Sequence, residues 1–158
     1  FAWREQHDGQ EVIVVRKGAT PAFPGQKGFI GGSMGDDAVI VQGTISGSSD
    51  TAVLQREALF STVHGAGRVM SRTEAAGKRN WKTGKILKPG KVSPEMMTEW
   101  VKKKGVILRG GGLDESPHAY RRLPEVLTAQ KDTIEVLHTL RPLIVVMAGA
   151  DVFDPYKD

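Results

Sequence analysis

The 158-residue sequence predicts an α/β fold, a mixed sheet with flanking helices, on three observations. Short β-branched runs, EVIVVRKGAT (11–20), AVIVQGT (38–44) and LIVVMAG (143–149), have strand length and strand composition. One segment, SPEMMTEWVKKK (93–104), carries helix signals at both ends. The length is enough for one domain with a sizeable core, and 39% of the residues are apolar. The chain is therefore read as a single domain or fragment over 1–158.

In order along the chain, the run at 11–20 stops at a glycine. Residues 19–37, ATPAFPGQKGFIGGSMGDD, read as a long loop rich in glycine and proline. AVIVQGT is a buried strand and SGSSD (46–50) a turn. GRVMSRTEAAGK (67–78) has helical composition behind a glycine-rich start, which suits a helix N-terminus receiving an anion. KRNWKTGKILKPGK (78–91) is an exposed basic loop. The helix at 93–104 opens with Ser93 as N-cap, Pro94 at the first position and Glu95 close behind; it closes with three lysines and Gly105, both ends complementing the helix dipole. GVILRGGG (105–112) is a strand entering a glycine loop. LPEVLTAQK (123–131) is a short helix, TIEVLHTLRP (133–142) favours a strand over a helix, and the polar tail is peripheral.

Composition excludes several classes. There are no cysteines, so disulfides and thiolate metal sites are ruled out, which fits a reducing, cytoplasmic setting. No run reaches the roughly 20 apolar residues of a membrane-spanning helix, and no signal peptide is visible. The first residue is Phe1 rather than Met, as expected of a processed chain or of part of a longer protein. The net charge is +4, but from Arg68 to Lys104 eleven basic residues face three acids, and 78–91 holds six basic residues and no acid. Such clustering attracts polyanions; a solvated lysine-rich loop accounts for it equally well on charge alone.

The four histidines, His7, His64, His118 and His138, offer no short-spaced ligand pair for zinc, and no metal site is assigned within the chain. His7 beside Asp8 and Gly9 reads as a hairpin turn, His118 lies in a loop after Pro117, and His138 sits in an apolar run. His64 differs in its company, STVHGAGRVMSR (61–72). It sits just before a glycine-rich helix start, with Arg68 and Arg72 following at intervals of four. Imidazole is a good nucleophile toward phosphorus, backbone N–H groups of a glycine run can hold phosphate oxygens, and arginines can neutralise developing charge. A helix-capping histidine with surface arginines explains the same letters, and HGAG by itself is a weak motif. In RKGATPAFPG (16–25) paired cations border a shaped loop, and in GGSMGD (31–36) the Ser33 hydroxyl suits a phosphate or a ribose; each is also explained as a turn.

Taken together, VRKGATPAFPG, GSMG, STVHGAGRVMSR and SPHAYRRLPEVL occur in the order seen in RtcB-type RNA-splicing ligases, and the chain resembles the C-terminal portion of such an enzyme. The resemblance implies part of a larger RtcB-like α/β fold and a GTP- and manganese(II)-dependent ligase. Such a ligase joins RNA 3′-phosphate or 2′,3′-cyclic-phosphate ends to 5′-hydroxyl ends through a histidine–GMP intermediate. It implies His64 as the nucleophile, with Ser33, Gly65, Ala66, Gly67 and Tyr120 at the nucleotide, Tyr120 packing on guanine. Arg16, Lys17, Arg68 and Arg72 match basic residues at the phosphate and RNA-end site, and the two arginines of the motif are expected to serve phosphate rather than stability. The implied partners are RNA, as tRNA halves or broken ends, and the upstream portion of the same enzyme, where the manganese ligands are expected. Ala38 stands where the family often has a serine touching guanine, and Ala148 where it usually has a lysine, so both departures fall on guanine selectivity. The competing readings are a non-catalytic RNA-end or tRNA-binding piece working through 78–91, and a paralogue with altered nucleotide use.

Overall fold

The computed structural model describes residues 2–80, 82–149 and 152. In chain order its elements begin with β1 (Ala2–His7), β2 (Gln10–Val15), β3 (Ala19–Pro21), β4 (Lys27–Ile30), β5 (Ala38–Gly43), α1 (Ser49–Glu57) and β6 (Ser61–Val63). There follow α2 (Arg72–Ala76), β7 (Lys78–Arg79), β8 (Ile86–Lys88), α3 (Pro94–Lys104) and β9 (Ile107–Arg109). After two 3₁₀ turns, Leu113–Glu115 and Pro117–Ala119, come α4 (Leu123–Ala129), β10 (Ile134–Leu140) and β11 (Ile144–Val146). The mixed α/β content agrees with the sequence reading. The one mixed sheet does not form: among the described residues the strands pair in five small sheets, four antiparallel and one parallel. Most strands are too short, and too closely bounded by glycine and proline, to line up in one ladder. The tail expected at the periphery lies almost wholly outside the described residues.

The chain divides into two compact units. The first comprises Phe1–Gly31, Ala38–Ala66 and Leu123–Leu140; the second comprises Gly32–Asp37, Gly67–Arg122 and Arg141–Asp158.

In the first unit, β1 and β2 form a hairpin in register Ala2↔Val15 to His7↔Gln10. Its two-residue turn is Asp8-Gly9 with φ of 50° and 77°, the left-handed pair a type I′ turn requires, so the hairpin expected beside His7 is present. The long loop of 19–37 is more ordered than expected. Within it β3 pairs with β6, and β4 joins β5 and β10 in a three-stranded antiparallel sheet with β5 in the centre. Burial alternates along β5, and its inward residues Val39 and Val41 pack with Ala22, Ile30, Leu123 and Ile134 as the core. Helix α1 was missed. The SGSSD stretch is its start: the Ser48 hydroxyl accepts from the Thr51 N–H at 3.2 Å. The residues α1 buries are Thr51 and Gln55, and Gln55 donates to the Thr44 and Thr133 carbonyls at 3.0 Å each. A helix that docks through amides leaves no apolar periodicity to read.

In the second unit, α3 matches its expectation residue for residue. Ser93 accepts from the Met96 N–H at 3.3 Å, and Gly105 ends the helix at φ 69°. Met34, Val101 and Val106 form one core cluster and Ala75, Val92 and Ala119 another. Strands β9 and β11 pair in parallel, leaving Ile107, Ile144 and Val146 exposed. The helix expected over 67–78 shrinks to α2, with Ser71 as its cap. Gly67 is left-handed at φ 76° and Arg68 bridges to Tyr120 in extended conformation, so the turn cannot propagate back to His64. The basic segment 78–91 is a β7–β8 hairpin rather than a loop, its bend held by the Asn80 carboxamide accepting from the Lys82 and Thr83 N–H groups at 2.9 and 3.0 Å.

At Gly43 a Cβ would run into the carbonyl oxygens of Ala22 and Phe23. Gly43→Ala is expected to cost roughly 1–3 kcal/mol, and Ser93→Ala about 1 kcal/mol through loss of the cap, both read as shifts in the urea midpoint.

Candidate functional site

His64 follows β6 directly and is solvent-exposed. Among the described residues its hydrogen bonds are made by the backbone. The His64 N–H donates to the Gly18 carbonyl at 3.3 Å, the Gly31 N–H donates to the His64 carbonyl at 3.3 Å, and the Ala66 N–H donates to the Gly31 carbonyl at 3.0 Å. Gly18 has φ 75°, and a Cβ there would lie 3.9 Å from the imidazole. A Cβ on Gly65 would approach the Gly31 oxygen to 3.3 Å. The glycines of RKGAT, GGSMG and HGAG are thus three strands of one close backbone crossing. A cleft of about 530 Å³ opens beside it, lined by His64, Gly18, Ala19, Thr20, Trp3 and Arg16. The helix start expected just after His64, with Arg68 and Arg72 following on it, does not form there, because residues 64–71 are loop and bridge and α2 starts at Arg72. The glycine-rich stretch 65–67, expected as a helix start, is loop and bridge instead.

Arg16 lines the cleft but is buried, and its guanidinium is engaged. It donates to both Glu5 oxygens at 2.5 and 2.9 Å, to the Ser61 hydroxyl at 2.8 Å and to the Leu59 carbonyl at 2.9 Å. Glu5 also meets His7 at 2.9 Å, and the His7 ring stacks on Phe60 and Phe23. The hydrogen bond from Arg16 is the largest cause that draws the Glu5 carboxyl down to about 2; burial opposes it and His7 assists. This ion pair braces the hairpin against the start of β6. Lys17, one residue on, is exposed.

The second unit holds Ser33, Arg68, Arg72 and Tyr120. Arg68 donates to the Tyr120 hydroxyl at 2.9 Å and to the Asp114 carbonyl at 2.7 Å, and its guanidinium carbon lies 4.9 Å over the Tyr120 ring. Arg72 pairs with Asp114 at 2.9 Å and with Glu115, and Glu115 also accepts from the Tyr120 hydroxyl. The arginines are therefore built into an ion-pair network rather than standing as simple surface cations. They are tied to two carboxylates, and Asp114 is buried. The concavity of about 700 Å³ at residues 68–74 lies against this network. Ser33 starts a tight turn and donates to Asp36 at 3.1 Å.

Of the remaining histidines, His138 is exposed on β10 beside a register shift, and His118 meets the Ser116 hydroxyl at 3.1 Å and stands edge-on to Trp100. Burial first, then the charge of Arg122, hold His118 below the usual imidazole range. Among the described residues no group of three or more His, Cys, Asp or Glu is placed to hold a metal, so the side chains present do not fit a manganese site. No helix among them is long and apolar enough to cross a membrane.

Glu5, Glu115 and Asp36 are the residues sequence reasoning missed. Glu5 is brought to Arg16 by hairpin register, which has no local signature. Glu115 had a signal in its place next to the SPHAYRR motif.

The glycine crossing presents the exposed His64 within an α/β segment. The family model described as tRNA-splicing ligase RtcB matches residues 1–148, and the chain belongs to that family. It is 38% identical to the RNA-splicing ligase RtcB of Escherichia coli K12, the match taking in 92% of this chain and 30% of that protein. Over 92% of this chain it is 34% identical to RNA-splicing ligase RtcB homolog 1 of Entamoeba histolytica, covering 28% of that protein. Over 77% it is 34% identical to the Mycobacterium tuberculosis RNA-splicing ligase RtcB, covering 28%. The chain thus spans about 30% of the length of the curated relatives it matches.

The Glu5–Arg16 pair generates a pH dependence. A carboxyl whose folded value lies near 2 stabilises fully above its ordinary value of 4.5, and the contribution is lost as pH falls from there toward 2. Glu5→Gln is expected to flatten that acid limb in urea unfolding from pH 6 to pH 2. At pH 7 it should cost roughly 3 kcal/mol, because it removes the carboxylate facing a buried guanidinium.

Proposed function

We propose that this chain carries the nucleophile of a GTP-dependent RNA ligase and that the nucleophile is His64. One observation carries the reading. The backbone crossing of three glycine-bearing motifs leaves His64 exposed at a cleft, held by main-chain bonds that place no demand on its ring. In the proposed step an imidazole nitrogen attacks the α-phosphorus of GTP. A P–N bond forms, the P–O bond to the β-phosphate breaks, pyrophosphate departs and the ring proton passes to solvent. GMP then moves to an RNA 3′-phosphate, and a 5′-hydroxyl displaces it to seal the strand. Ser33, Gly65, Ala66, Gly67 and Tyr120 are read as nucleotide residues, and Lys17, Arg68 and Arg72 as phosphate and RNA-end residues. Arg16 is in this reading a brace for the cleft wall, given its engagement with Glu5. Manganese(II) would supply charge neutralisation, and its ligands would come from outside the described residues. The exposed Ile107, Ile144 and Val146 support the reading that the remaining portion of a ligase packs on this segment.

The labelling test uses radiolabelled GTP and manganese with this chain supplemented in trans by the remaining portion of the E. coli ligase. An acid-labile, base-stable label on His64 is expected there, none from this chain alone, and none with His64→Ala at unchanged melting temperature. A label that survives His64→Ala removes the assignment.

A non-catalytic RNA-binding role has its own support in the β7–β8 hairpin, which exposes Lys78, Arg79, Lys82, Lys85 and Lys88. Each phosphate neutralised adds roughly one unit to the slope of log affinity against log salt. Changing Lys82, Lys85 and Lys88 to Ala should therefore flatten the slope by about 3 in filter-binding titrations. An unchanged slope makes the hairpin a solvated surface.

A further inference from the structure

Side chains alternate across a strand, so Trp3, Glu5 and His7 share one face of β1, and Trp3 stands opposite Val14, which is buried. This is the inward row of the β1–β2 hairpin. Glu5 and His7 behave accordingly: Glu5 meets Arg16, and the His7 ring stacks on Phe60 and Phe23. Trp3 departs from the pattern. It carries the largest side chain of the row, yet it is 53% exposed. At its end of the row the cleft of about 530 Å³ opens, and Trp3 and His64 both line it. The cleft lies wholly within the first unit.

The lining decides what such a cleft can hold. Gly18, Ala19, Thr20 and Pro21 contribute a compact wall without charge. The one permanent charge in the lining is Arg16, whose guanidinium is already taken by both Glu5 oxygens, the Ser61 hydroxyl and the Leu59 carbonyl. A phosphate group therefore gains little from the wall or from Arg16. A flat, neutral ring gains the indole. Nucleobases stack on aromatic side chains whatever their identity, because every base has a π-face. The volume falls in the range of roughly 300–1,000 Å³ typical of small-molecule pockets, the size class of a single nucleoside.

The proposed reaction supplies that nucleoside. GMP held on His64 passes to an RNA 3′-phosphate, so the last nucleoside of that strand has to reach the histidine. Its base arrives from solvent with one face unstacked, and a half-exposed indole beside the histidine offers that face a partner. We propose that Trp3 is the stacking platform for the terminal base of the RNA strand that carries the 3′-phosphate, and that the cleft lined by Trp3 and His64 holds this nucleoside. The inference rests on the ligase reading above and deepens it by naming the part of the substrate the cleft takes.

The test uses the reconstituted mixture with manganese, GTP and RNA oligonucleotides ending in a 3′-phosphate, and follows GMP transfer from His64 to RNA. Trp3→Ala is expected to raise the KM for RNA about tenfold, as loss of one stacked base would. Trp3→Phe, which keeps an aromatic face, should restore most of the affinity, and Trp3→Leu should behave as Trp3→Ala does. An RNA whose 3′-terminal nucleotide lacks its base should show the same loss with the unsubstituted chain and no further loss with Trp3→Ala, which a merely structural role for Trp3 would not give. If Trp3→Ala fails to fold, the Phe-against-Leu comparison and the baseless end on the unsubstituted chain still decide. Additive losses overturn the proposal, as do a raised KM for GTP in place of RNA and a Trp3→Leu variant that matches Trp3→Phe. Label on His64 with no effect of any Trp3 substitution overturns this inference alone. Absence of label from the unsubstituted mixture overturns the ligase reading, and this inference with it.

Discussion

The close approach of three backbone segments at Gly18, Gly31 and His64 to Ala66 is the constraint on which the candidate nucleophile depends. Main-chain N–H and C=O groups cannot be left unpaired where side chains crowd, and here each segment satisfies the next in a chain of three bonds. Side chains would prevent it. Gly18 is left-handed, and a methyl group on Gly65 would press on the Gly31 carbonyl. The motifs read in the sequence as glycine-rich loops are therefore the parts of one braced joint. The histidine it carries is fixed by its backbone and exposed.

Charge is handled differently in the two units, though by one rule. A guanidinium taken out of water requires a carboxylate with good geometry. In the first unit Glu5 meets buried Arg16 through two bonds, and the cost of burying both is offset by the Ser61 and Leu59 acceptors. In the second unit Asp114 and Glu115 balance Arg68 and Arg72, with Tyr120 joined to the same cluster. The β7–β8 hairpin exposes Lys78, Arg79, Lys82, Lys85 and Lys88, and Lys91 just beyond it pairs with Glu74. Sequence-level charge counting locates the basic region correctly but assigns its cations no partners.

Family membership agrees with this physical picture without replacing it. The matching relatives are more than three times as long as the matched segment. A segment of that size holds its own cores, yet it leaves an apolar strand pair uncovered and assembles no cluster of metal ligands among its described residues. The joint at His64 and the turn at Ser33 are complete in themselves, because the bonds that build them come from within each unit.

The sequence by itself determined what local chemistry encodes. Ser93, Pro94 and Gly105 set the ends of α3, Asp8-Gly9 set the β1–β2 turn, and the β-branched runs set β5, β9, β10 and β11. It also singled out His64, because a histidine against glycines is an unusual local grouping. Tertiary structure decided the rest, and in each case through a long-range partner. Helix α1 docks by the amide of Gln55, whose acceptors lie at Thr44 and Thr133. The helix expected after Gly67 gives way to a bridge between Arg68 and Tyr120. Arg16 becomes a buried ion pair once hairpin register delivers Glu5, and the Ser33 hydroxyl donates to an aspartate whose cations come from Lys104 and Arg122. Propensity and periodicity act over a few residues. Hydrogen bonds and ion pairs between distant segments obey register and packing, which no local window contains.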